Sequence, residues 1–325
     1  MNFELVNNIF HDGQLFDERC IEVFRFQYNN NKVYRQWCEL VNKDLQSIQS
    51  VSDIPFLPIS FFKTHQVIST VFEPVIIFES SGTTQSTTSR HFIRDISIYE
   101  KSFLQCFKNF YGEPEDYCIL ALLPSYLERG GSSLVYMVDK LIRLSNHPKS
   151  GFYLYEHKQL HDTIAAMEKE GQKVLLFGVT YALIDFAEAY PLPLKHTIII
   201  ETGGMKGRKK ELTRSEVHEF LQQQFHTTHI HSEYGMTELL SQAYSKKDGI
   251  FHCPAWMKIL VRDEDDPMHI KQKGRGVINV IDLANIYSCS FIATDDAGSL
   301  YEDGSFEVLG RIDNSDIRGC SLLSL

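Results

Sequence analysis

Apolar positions in residues 1 to about 50 recur at helical spacing: Ile21, Phe24 and Tyr28 fall on one stripe, and Val33, Trp37, Leu40, Val41, Leu45 and Ile48 on another. No glycine falls between Gly13 and Gly82, and Pro55-Phe56-Leu57-Pro58 breaks the pattern into an extended segment ending near Lys63. Val75 to Phe78 then has the β-branched and aromatic bias of a buried strand, and Arg90 to Arg94 alternates like a second one. From there the periods alternate. Helices are predicted over 96–110, 132–144, 160–169 and 181–189, and strands over 117–123, 151–155, 174–177 and 196–200.

Thr213-Arg214-Ser215-Glu216 is a capping box that opens a helix to about Phe225, and a strand is predicted at Thr228 to His231. From Gly274 onward the runs are short and β-like, at 277–281, 290–294 and 305–309. The expected fold is α/β, a mostly parallel sheet covered by helices with a small β-rich part near the C-terminus. Ligands of such sheets lie beyond the carboxyl ends of the strands.

Between the first two strands the chain reads FESSGTTQSTTSRHF, Phe78 to Phe92, with eight hydroxyl side chains and one glycine. Such a loop can turn backbone N–H groups and hydroxyl donors toward one point, which suits a phosphate chain. It is not the lysine-bearing phosphate loop, because no G-x-x-x-x-G-K-[ST] occurs in the chain. The competing reading is a polar hairpin tip or linker.

Charge and cysteine usage narrow the partners. The formal charge of −10 argues against nucleic acid or an anionic membrane as the main partner. No apolar run reaches transmembrane length, and the most apolar window, Val174 to Ala187, contains Asp185. The N-terminus has no basic region followed by an apolar run, so no signal peptide is expected. Seven cysteines, none in a C-x-x-C pair, fit a reduced, cytoplasmic setting. Cys20, Cys38, Cys106, Cys118 and Cys289 fall in helix or strand patterns and are expected in the core, while Cys253 with His226, His229, His231 and His252 matches no standard zinc spacing.

Further chemistry-bearing stretches follow in order. In Ser232-Glu233-Tyr234-Gly235-Met236-Thr237-Glu238 the residue types suit a nucleotide: Tyr234 can stack on a base, Thr237 can donate to a phosphoryl oxygen, and Glu238 can hold Mg²⁺. The bland alternative is a strand-to-helix junction with an acidic residue favoured by the dipole. Glu201-Thr202-Gly203-Gly204-Met205-Lys206-Gly207-Arg208 is a glycine-rich turn that lets backbone approach a ligand closely, or an ordinary turn. Thr294-Asp295-Asp296 and, fifteen residues on, Gly310-Arg311-Ile312-Asp313 complete the set.

These stretches together resemble the motifs of the adenylate-forming enzymes. SSGTTQSTTSRH is similar to [ST]-[ST]-G-[ST]-T-G-x-P-[KR], with Gln85 in place of a glycine and no proline before Ser89-Arg90. EYGMTE resembles Y-G-x-[ST]-E, TDD resembles T-G-D with Asp295 in place of glycine, and GRID with Ile317-Arg318-Gly319 resembles G-R-x-D…[IV]-[KR]-G. The resemblance implies ATP and Mg²⁺ as cofactors. It places Ser80, Ser81, Gly82, Thr83, Thr84 and Arg90 on the phosphates and Gly203 and Gly204 beside the adenine. Tyr234 and Gly235 would lie at the nucleotide, Thr237 and Glu238 in the catalytic turn with Glu238 on the metal, and Asp296 and Arg311 on ribose or phosphate.

The chain ends RGCSLLSL, with Cys320 sixth from the last residue. With the stretches IPFLPISFFK and ETGGMKGR, this resembles the acyl-protein synthetases of the LuxE type over residues 53 to 325. The resemblance implies activation of a fatty acid and its transfer to Cys320 as a thioester, with Arg318, His229 and His231 as candidates for lowering the thiol's pKa. It further implies an acyl-reductase or acyl-carrier partner, and a large domain over 1–310 (helical 1–52, β-rich 274–310). Residues 311–325 would be a hinge and a tail, the mobile C-terminal domain being truncated and its lysine absent. Two rival readings stand: an acyl- or aryl-CoA ligase of the phenylacetate–CoA ligase type, and a nucleotide-binding assembly subunit without turnover.

Overall fold

The structure is a computed structural model that describes residues 6, 8–10, 15–80, 87–124, 130–204 and 212–312. The chain divides into two compact units, residues 1–73 with 255–325, and residues 74–254.

In the second unit the apolar runs read from the sequence become the core strands. Cys118–Leu122 and Val174–Gly178 are buried at every position. That is the mark of parallel strands covered on both faces, where no alternation survives. Parallel pairing joins 151–152 to 118–122, then 174–178, 197–201 and 231–234 in lateral order. Ala243–Ser245 and Phe251–His252 extend the edge in antiparallel fashion. The helices between the strands are capped as their sequences demand. Asp95 accepts from the Ser97 amide, and Thr213 and Glu216 close the expected capping box of the Arg214–Phe225 helix. Asn146 and Gly171 end their helices in the left-handed conformation.

The hydroxyl-rich segment springs from a separate two-stranded sheet of this unit. Ile76–Glu79 pairs antiparallel with Arg90–Ile93, in the register Phe78 to His91 and Glu79 to Arg90. An isolated hairpin is marginal in water. Here Phe78 is fully buried, with its ring edge-on to Tyr99 and to Tyr136 at 5.4 and 5.9 Å. The hairpin is thereby seated on the helices Ile96–Tyr111 and Ser133–Ser145.

The first unit holds the long antiparallel strands Met257–Arg262, Gly274–Asp282, Phe291–Leu300 and Phe306–Arg311. The Leu57–Pro58 stretch adds in parallel to Phe291–Leu300, which is where the Pro-rich segment goes. Its core stacks Tyr34 on Phe291 at 6.0 Å, and buried Gln27 from the Phe16–Asn30 helix donates to the carbonyls of Asn285 and Ile286. Among the described residues no helix is long and apolar enough to cross a membrane.

Several predicted boundaries move. The strand expected at 228–231 is observed at His231–Tyr234, the one expected at 151–155 is only Gly151–Phe152, the 290–294 run continues to Leu300, and the helical stripe read through Ile48 stops at Leu40. His231–Tyr234 is a polar segment whose last three residues are buried, so its hydropathy hid it.

Gly178 is closely packed in the parallel core. A Cβ there would lie 2.6 Å from Leu183 Cγ and 3.3 Å from Leu122 Cβ. Gly178→Ala is expected to destabilise the protein by about 1–3 kcal/mol through overpacking, read as a lower midpoint in denaturant unfolding with an unchanged slope.

Candidate active site

The carboxyl ends of the parallel strands carry the polar residues of the second unit. Glu201 ends its strand and is 4% exposed. Its Oε1 accepts the Thr180 hydroxyl in a very close hydrogen bond and the Gly203 amide at 2.7 Å. Its Oε2 accepts the Ser232 hydroxyl at 3.3 Å, with the Arg214 guanidinium at 3.9 Å. Because the Ser232 proton goes to Glu201, His218 donates from Nε2 to Ser232 Oγ at 3.1 Å.

Gly203 and Gly204 follow with φ of +75° and +96°, a backbone that side chains rarely adopt. Their carbonyls accept the Thr180 and Tyr181 amides at 3.0 and 3.4 Å. The glycine-rich turn is thus laced to the first turn of the Thr180–Ala189 helix.

Tyr234 is the last residue of its strand, with its ring at 6.0 Å from Phe251, and Gly235 follows directly. Thr237 and buried Glu238 lie in the next turn, which the Leu239 amide closes onto the Met236 carbonyl at 3.0 Å. That turn touches the hydroxyl hairpin. The Thr237 carbonyl accepts from His91 Nδ1 at 2.9 Å across 146 residues of sequence. Burial pushes the His91 imidazole down to about 4, so at neutral pH it is the uncharged Nδ1–H tautomer that the carbonyl requires.

At the neck of the hairpin the Ser89 amide donates to Ser80 Oγ at 2.9 Å and the Ser80 amide to the Ser89 carbonyl at 3.0 Å. Arg90 is exposed, its guanidinium 5.6 Å from the Phe92 ring centre. Ser81, Gly82, Thr83 and Thr84 lie outside the described residues, and so does Cys320.

In the first unit Asp296 and Arg311 face one another across the hairpin that joins their strands, with Arg311 Nε 3.8 Å from Asp296 Oδ1. Two motifs fifteen residues apart are therefore direct neighbours.

Several residues of consequence were not singled out from the sequence. His91 and Glu201 stood inside quoted stretches, but nothing local marks a bond to a turn far along the chain. Glu233 is buried, and removal from water, with the nearby Glu201 carboxylate, pushes its carboxyl up to about 8. Its Oε1 occupies the space that a Cβ at Gly235 would need, and Gln242 Cγ would lie 3.4 Å from that Cβ.

His231 shares a hydrogen bond with the Tyr111 hydroxyl at 3.2 Å, and burial together with the charge of Lys246 lowers it to about 4. The five cysteines expected in the core, Cys20, Cys38, Cys106, Cys118 and Cys289, are all buried and free.

The family profile "Acyl-protein synthetase, LuxE" matches residues 6–121. A long-chain-fatty-acid–luciferin-component ligase of Aliivibrio fischeri is 20% identical over 95% of this chain and 87% of its own length. Its counterpart from Vibrio harveyi is 22% identical over 92% and 84%. The chain is similar to the LuxE-type acyl-protein synthetases. Among solved structures, ATP-bound MatB from Rhodopseudomonas palustris superposes with a TM-score of 0.55 at 15% identity, covering 75% of this chain and 50% of MatB. Apo MatB gives 0.51 at 16% identity over 72% and 47%. The fold is that of the adenylate-forming enzymes, and the chain spans about half the length of these solved relatives.

The position of Glu233 gives a pH prediction. Below 4.5, its value in the unfolded chain, both states hold the proton and no penalty arises. As pH rises from 4.5 to about 8 the unfolded chain ionises while the folded one does not, so folding stability falls. Glu233→Gln is expected to match the parent near pH 4.5 and to exceed it at pH 8 by on the order of a few kcal/mol, read from melting temperatures across that range. A constant difference at all pH values would contradict the burial of an ionisable proton at this position.

Proposed function

We propose that the protein activates a long-chain carboxylic acid with ATP and Mg²⁺ as an acyl-adenylate, then transfers the acyl group to a cysteine thiol, Cys320. The observation that carries this reading is the junction of the hydroxyl hairpin with the Tyr234–Glu238 turn through His91 and Thr237. It joins, in one unit, the two stretches whose residues suit phosphate and metal. Similarity to two fatty-acid ligases over more than nine-tenths of the chain supports the substrate class.

The donor set fits magnesium. Among the described residues no group of three His, Cys, Asp or Glu forms a cage, and Glu238 offers one buried carboxylate. Magnesium is commonly held by one or two carboxylates with substrate phosphates and water completing its shell. When bound, the ion would neutralise charge developing on the phosphates.

In the first half-reaction a carboxylate oxygen of the acid attacks the α-phosphorus of ATP and pyrophosphate leaves. The Thr237 hydroxyl and the hydroxyls of the hairpin loop are the donors for phosphoryl oxygens. Gly203 and Gly204, bare of side chains, let the base lie against the turn that Glu201 holds, and Tyr234 flanks it. In the second half-reaction the Cys320 thiolate attacks the acyl carbon and AMP leaves, its proton having gone to solvent or a base. Cysteine suits this step because an appreciable fraction of a free thiol ionises near neutral pH. Asp296, paired with Arg311, is the group for the ribose hydroxyls. The thioester is the form in which the acyl group passes to a reductase or carrier protein. The free state of the six described cysteines supports a reducing, cytoplasmic setting.

Incubation with ATP, Mg²⁺ and a panel of fatty and aryl acids, followed by intact mass spectrometry, tests the reading. A hydroxylamine-labile acyl adduct on the Cys320 peptide is expected, absent in Cys320→Ser, which should still release pyrophosphate. Thr237→Ala is expected to slow acid-dependent pyrophosphate exchange by about 10²-fold. Acyl-CoA formed equally well by Cys320→Ser would move the acceptor to CoA. ATP binding without acid-dependent exchange would leave only a nucleotide-binding subunit.

A further inference from the structure

Among the described residues, the two-stranded sheet that carries the hydroxyl loop has few backbone ties beyond itself. Its four paired residue positions are all internal to the hairpin. The Glu79 amide donates to the Gly131 carbonyl at 2.7 Å, and Phe78 sits in the aromatic pocket of Tyr99 and Tyr136. Both contacts fix the outgoing strand. The returning strand reaches the catalytic turn through His91, 1% exposed, at the Thr237 carbonyl.

We propose that His91 is a positioning residue: its bond to the Thr237 carbonyl sets the separation between the hairpin that carries the hydroxyl loop and the turn that carries the Thr237 hydroxyl and the Glu238 carboxylate. The inference rests on the function proposed above and goes beyond it by assigning a role to a side chain that touches neither substrate.

Geometry favours this role over simple core filling. The accepting atom belongs to Thr237 itself, so any shift of the ring is passed to the residue whose hydroxyl must meet a phosphoryl oxygen. The ring is one residue from Arg90 and two from Ser89, whose amide closes the neck of the loop on Ser80. One side chain therefore couples the two donors that have to converge on one phosphate chain. Both ends of the bond are buried or half-buried, so water does not readily replace a lost partner. Displacement of a reacting group by about 1 Å can cost 10²-fold in rate even when binding survives.

The test uses the full chain and ATP–pyrophosphate exchange with palmitic acid, with melting temperature recorded for each variant. His91→Asn keeps an N–H donor near the Nδ1 position, while His91→Leu fills the space and leaves the Thr237 carbonyl unpaired. His91→Leu is expected to lower kcat by about 10- to 100-fold with a much smaller change in KM for ATP, and His91→Asn to recover most of the loss. A merely structural histidine would lower the melting temperature of both variants and leave kcat of the folded fraction unchanged, which overturns the inference. Equal loss in His91→Asn and His91→Leu also overturns it. Should His91→Leu fail to fold, His91→Met against His91→Asn gives the same contrast, because the flexible thioether side chain fills the space but only the amide donates. A parent protein without acid-dependent exchange would overturn the proposed function and this inference with it, whereas an active parent with a fully active His91→Leu would overturn the inference alone.

Discussion

A carboxylate taken out of water must be met by donors, and in the second unit that requirement falls on Glu201. Its two oxygens gather the Thr180 hydroxyl, the Gly203 amide and the Ser232 hydroxyl from three separate elements. Meeting that need bends the chain into two left-handed glycines, seats them on the start of a helix, and holds the adjacent strand at Ser232. One residue further on, removal from water first and the negative field of the same carboxylate second keep Glu233 protonated. The glycine turn and the strand end follow from one desolvated charge, which adds to the burial that raises its neighbour.

Long periodic elements were legible in the sequence because burial on both faces leaves an unbroken apolar run, as in Cys118–Leu122 and Val174–Gly178. The capping box at Thr213 and the hairpin around the hydroxyl loop were legible for a different reason: local chemistry specifies them. The strand His231–Tyr234 was misplaced by three residues, since its buried positions are polar and derive their burial from partners, Ser232 from Glu201 and His218. A pattern of hydropathy cannot report a side chain that is buried by being hydrogen-bonded.

The site was legible only as separate stretches. Ser80, Gly203, Tyr234, Thr237 and Glu238 could each be marked from residue type and order. What the sequence lacked were the ties between them: His91 to Thr237, Thr180 to Glu201, and Asp296 to Arg311. Each joins residues that local spacing never brings together, and each depends on strand register, which is a property of the assembled sheet.

The crowding at Gly235 has a consequence for proton traffic. Glu233 enters the folded state with its proton and surrenders it when the chain opens, so near neutral pH folding is a proton-uptake reaction at this position. Part of the heat of unfolding then belongs to the buffer that receives that proton. The same sequence would show different apparent enthalpies in phosphate and in Tris, although no contact in the protein had changed.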